Sequence, residues 1–87
     1  MTQTEGITAD RLTAGTVVRF QNSLLSPNKL TVRLARDADV APVEGTQGQV
    51  YAVMLGYRVR PADTSVSFGL RKVYCVNVDR IEIIRAA

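Results

Sequence analysis

Four cations in the second half of this chain have the most chemistry to offer. Arg58 and Arg60 lie two apart, so in an extended strand they share a face, and Arg71 and Lys72 follow beyond a turn. Guanidinium and ammonium groups on neighbouring strands bind phosphates or carboxylates, and nearby aromatic rings can stack on bases. Arg58, Arg60, Arg71 and Lys72 are therefore the candidate nucleic-acid or partner-binding residues. If residues 49–60 and 65–76 pair about the turn Pro61-Ala62-Asp63-Thr64, Arg60 falls near position 65 and Arg58 near position 67. Arg71 and Lys72 then fall opposite 53–54, so the pairing does not by itself gather the four into one patch. The charge distribution agrees with a basic second half. Residues 1–45 balance five basic against five acidic side chains, and residues 46–87 hold six against three, so the whole net charge of +3 lies there. Nine of the eleven basic residues are Arg, which fits phosphate or carboxylate recognition and fits GC-rich codon usage equally.

What is missing from the sequence narrows the function further. It holds no His, so there is no imidazole general base, no Ser-His or Cys-His pair and no His metal ligand. One cysteine, Cys75, builds neither a zinc site nor an internal disulfide. Its apolar neighbours predict a buried, inert thiol, and an unpaired cysteine fits a reducing, cytoplasmic setting. No GxGxxG or GxxxxGK[ST] stretch offers a phosphate cradle. Asp37, Asp39 and Glu44 lie close in sequence, but their spacing is not that of a calcium loop, and a solvated loop is the expectation. No cofactor or metal is expected, and none of the eight acids is singled out as a catalytic group. The late strand Val66-Ser67-Phe68-Gly69 also lacks the Val-Gln-Ile-Tyr motif of the small SH3-like dihydrofolate reductases. The reading is a non-enzymatic protein.

Two features point to protein binding instead. Residues 49–60 form a long run that is apolar on both faces, which a small barrel buries with difficulty. What stays exposed favours a partner or self-association. Leu24 and Leu25, inside an otherwise polar loop, are candidate partner-binding residues; packing under the loop as a satellite of the core is the alternative. Grip on a polyproline helix is disfavoured, because the chain has no Trp. Tyr51, Tyr57, Phe68 and Tyr74 can be drawn as an aromatic cage, with core packing as the plainer account.

The elements that carry these residues read as strands. Residues 16–20 alternate, with Val18 and Phe20 on one face. Residues 29–35 alternate most regularly, Leu30, Val32 and Leu34 against Thr31, Arg33 and Ala35, so Arg33 points away from the core. Residues 22–28 and 36–48 read as loops. Gly56 marks a bulge or sharp bend in the long strand. Residues 65–70 and 73–78 read as extended runs broken at Arg71-Lys72, with Tyr74, Val76 and Val78 on one face. A short turn over 77–80 precedes a last strand at 81–83. Residues 8–12 suggest one helical turn, and residues 1–7 a flexible tail.

With 87 residues, 46% hydrophobic and 22% charged, the chain forms one domain, residues 8–87. No apolar run spans a membrane and no signal peptide is visible. The fold expected is all-β: a single small antiparallel barrel or roll of five to six strands, SH3-like in placing a short turn before its last strand, after a short N-terminal helical turn. The function expected is protein–protein binding, as an accessory subunit, adaptor or mobile-element inhibitor, self-association included. The alternative is nucleic-acid binding through the second-half cations.

Overall fold

The computed structural model describes residues 11–22, 28–42 and 48–87. These form six strands: β1 (Val17–Gln21), β2 (Lys29–Leu34), β3 (Asp39–Pro42), β4 (Val50–Arg60), β5 (Asp63–Asn77) and β6 (Glu82–Arg85). A single 3-10 turn, Val78–Arg80, separates the last two. No α-helix occurs among the described residues. Residues 8–10 of the expected helical turn, the tail 1–7 and both Leu24 and Leu25 lie outside the described residues. Arg11 and Leu12 sit in a turn and bend, so no helical turn is seen.

The sheet is antiparallel throughout and curls into a half-barrel. β4 is its spine. Along one edge it pairs with β5; along the other it pairs first with β3 and then with β2. β2 continues to β1, and β1 to β6. The last strand thus pairs with the first, after the one-turn 3-10 helix. Asn77 makes that turn: its side-chain oxygen accepts the Asp79 amide at 3.0 Å. Exposed Arg19 and Glu82 link β1 to β6 at 2.9 Å.

The period-two pattern decides the core. Val18 and Phe20, Val32 and Leu34, Ala52 and Met54, and Tyr74 and Val76 are each two apart and all buried on the concave face. Fully burying the Val, Leu, Met and Phe side chains among them contributes about 1.5–3 kcal/mol each. Phe20 meets Tyr74 edge to face, with ring centroids 5.5 Å apart. Leu12, fully buried, closes one side of the core. Its segment is held by amide–carbonyl bonds from Ala38 to Leu12 and from Gly15 to Leu34, and by the Ala14 amide donating to Asp37 Oδ1 at 2.9 Å.

Two expectations need correction. The irregular stretch 36–48 contains a strand: residues 39–42 pair with β4 in the register Asp39 with Val53 to Pro42 with Val50. Pro42 is tolerated because it ends a strand whose other edge has no strand partner among the described residues. The runs 65–70 and 73–78 are not two strands but one, β5, carried past Arg71-Lys72 by a bulge.

Candidate functional site

The β4–β5 hairpin carries the candidate cations, and its register decides which of them meet. From Tyr51 with Asn77 to Gly56 with Lys72 the ladder is regular. It then slips. Arg58 pairs with Phe68, so Gly69, Leu70 and Arg71 on β5 face Tyr57 alone on β4. Gly69 has φ +86°, a left-handed conformation that glycine takes without steric cost. The slip brings Lys72 opposite Gly56, two residues from Arg58, instead of opposite 53–54. At the tip a further shift places Arg60 opposite Asp63.

Arg58 and Lys72 thereby share the concave face with the core residues Met54 and Tyr74. They line a cleft of about 270 Å³ with Phe68, Gly69, Leu70 and Tyr74. Tyr74 is its buried floor. The Arg58 guanidinium lies over the Phe68 ring, 5.0 Å from the centroid. Phe68 is 42% exposed and Leu70, at the bulge, 81%. Arg60 and Arg71 are exposed but do not line the cleft. Of the four candidate cations the structure therefore gathers two. The candidates Leu24 and Leu25 lie outside the described residues.

The convex face of the same hairpin is a second surface. Tyr51, Val53, Leu55 and Tyr57 of β4 all point there and stay half-buried. Beside them on β5 stand Val73, 60% exposed, opposite Leu55, and Cys75, opposite Val53. Cys75 is exposed, not buried: Tyr74 and Val76 take the core face, so position 75 must take the other. The aromatic cage is not formed either, because Tyr51 and Tyr57 face outward while Phe68 and Tyr74 face inward. Sequence reasoning passed over Leu70 and Val73. The signal was present in the bulge glycine and in the parity of Val73 against Tyr74.

The hairpin tip is fastened to the sheet. Arg33, which points away from the core as its alternation predicts, donates from Nη1 to the Thr64 carbonyl at 2.6 Å. Asp63 turns the chain there, accepting from the Ser65 hydroxyl at 2.6 Å and the Ser65 amide at 3.1 Å. Those two bonds, the hydroxyl's first, hold the Asp63 carboxyl below its ordinary value of 3.8, with a smaller contribution from the Arg85 charge.

A wider depression, about 440 Å³, is lined by Gln21, Lys29, Asp79, Arg80, Ile81 and Glu82. Its charges are mixed and select no ligand. Among the described residues no three His, Cys, Asp or Glu side chains gather as a metal site, and no helix is long and apolar enough to cross a membrane. Compared with protein-family models, with curated proteins and with solved structures, the chain matches none.

Proposed function

We propose that this chain is a non-enzymatic interaction module that binds protein partners, copies of itself included, through its β4–β5 hairpin. The observation that carries this is the apolar convex face: Val73 stands 60% exposed beside Val53, Leu55 and the two tyrosines. A sheet face of this composition is ordinarily covered by a second layer. A stable dimer buries about 800 Å² per copy, roughly a seventh of the 5615 Å² surface of this chain, which is within reach of such a face. Light scattering on the eluting protein, with and without mixed oligonucleotides, tests it. A discrete oligomer that ignores nucleic acid and dissociates in Val73→Asp is the expected result. A monomer at every concentration, shifted only by oligonucleotide, sinks the reading.

A second reading has its own observation. Arg58 and Lys72 share one cleft with an exposed aromatic ring, the combination by which small barrels hold single strands. In that case Arg58→Ala with Lys72→Ala weakens oligonucleotide binding and flattens its salt dependence. Binding that is unchanged in this variant removes the reading.

A further inference from the structure

We infer that the partner taken by this hairpin is an extended acidic peptide, which adds as a strand to the free edge of β5 and sets its carboxylates against Arg58 and Lys72. The inference rests on the protein-binding reading above and names the partner's chemistry. Three observations converge on it. The first is the edge. Among the described residues β5 pairs with β4 alone, so its other side has no strand neighbour along its whole length. Such an edge presents amide and carbonyl groups at the spacing that only another peptide strand matches. A nucleic acid strand has no such match.

The second is charge. None of the residues lining the cleft is acidic. Neither Arg58 nor Lys72 has a carboxylate partner among the described residues. Two unpaired cations at the mouth of a partly apolar cleft, in a region of net positive charge, call for an anionic partner. Side-chain carboxylates supply one at little cost in desolvation at so open a site.

The third is the alternation of β5 beyond its bulge. Over 72–77 the ladder with β4 is regular, so a strand laid along that run keeps register for about 20 Å. Its inward side chains then lie beside Lys72 and Tyr74, and its outward side chains beside Val73 and Cys75. The complementary sequence alternates acidic residues on the inner face with apolar residues on the outer. The bulge at Gly69–Arg71 ends the pairing and props Leu70 at the mouth of the cleft, where it covers the last residue of the guest.

The test uses the full chain and three fluorescein-labelled probes: a ten-residue peptide alternating valine and glutamate, its valine–lysine counterpart, and a twelve-nucleotide thymidine strand. The valine–glutamate peptide is expected to bind saturably. Arg58→Glu with Lys72→Glu should weaken it about tenfold, the size expected for two exposed ion pairs, and should reverse the preference in favour of the lysine peptide. Amide exchange should slow at alternate positions of 72–77 when the peptide is present. No peptide binding, equal binding of both peptides, or binding of the thymidine strand in place of the peptide overturns the inference. So does peptide binding without protection in β5. Light scattering on the same samples separates the two readings. If the peptide fails while the chain still self-associates through Val73, only the strand-addition inference falls; if it is also monomeric and shifts only with the thymidine strand, both fall.

Discussion

A side chain at position 56 has nowhere to go. A Cβ built on Gly56 would lie 2.5 Å from the Arg33 carbonyl oxygen and 2.7 Å from a Val32 methyl, because β2 and β4 close on each other there. The carbonyl is backbone and cannot swing aside. Gly56→Ala should therefore destabilise by about 1–3 kcal/mol, the range for overpacking a filled interior, and Gly56→Val by more. Chemical denaturation reads this directly; an unchanged midpoint for the alanine variant would show that β2 yields. The glycine was visible in the sequence as a bend or bulge in a long strand. Its reason, the approach of a strand more than twenty residues earlier, was not. Cys75 teaches the converse. Its apolar neighbours suggested burial, yet period two already assigned Tyr74 and Val76 to the core and Cys75 to the opposite face. Asp63 supplies a pH-dependent test at this scale. Its carboxyl is held below 3.8 by Ser65, so the folded state binds its proton less readily than the unfolded state. The small stabilisation this gives is complete above the ordinary aspartate range and is lost as pH falls through the lowered folded value. Following the Asp63 carboxyl by NMR should place its midpoint below 3.8, and Ser65→Ala should move it up toward that value.

At the scale of the element, β5 explains why the cations were only half legible. Its strand character and its turn at Pro61-Ala62 follow from composition: alternating β-branched and aromatic residues on either side of a proline. Ladder arithmetic with no irregularity then sets Arg71 and Lys72 opposite 53–54. The bulge adds two residues on β5 between Phe68 and Lys72 and, together with the register shift at the hairpin tip, moves Lys72 to Gly56. A glycine hints at such a slip, but its size depends on how far the hairpin must curl to keep Tyr74 against Phe20. Gly69 has open space around its missing side chain, so only its φ of +86° resists substitution. Gly69→Ala should cost about 1 kcal/mol in stability. If the bulge positions Lys72, Gly69→Val should also alter the environment of Arg58 and Lys72, seen as shifted side-chain NMR resonances. A variant that loses stability with those resonances in place would show that Lys72 is positioned by the regular ladder alone. β3 was missed for a different reason. Asp39 and Pro42 are poor strand formers, and β4 supplies a paired edge that overrides their local preference.

Among the described residues the molecule is a half-barrel with open strand edges at β3, β5 and β6, and the convex face of its β4–β5 hairpin is apolar. A chain of 87 residues has little stability to spare, since small domains bury a low share of their surface and the net balance is a few kcal/mol. Covering the convex face removes Val73, Leu55 and Val53 from water and adds stability that an isolated copy lacks. Association of folded copies then pulls the folding equilibrium by mass action. The melting temperature should rise with protein concentration. The size of the rise follows from linkage: a hundredfold excess of protein over the dissociation constant contributes about 2.7 kcal/mol, worth roughly 10–20 °C in a domain of this size. Val73→Asp should melt at the temperature of the dilute wild-type chain at every concentration, because the charge stands on the surface and disturbs no core contact. This comparison discriminates sharply. A melting temperature independent of concentration in both proteins would mean that the half-barrel is stable alone and that its apolar face serves a different chain. A variant that melts well below the dilute wild type would mean that Val73 contributes to the fold, and the self-association argument would lose its residue.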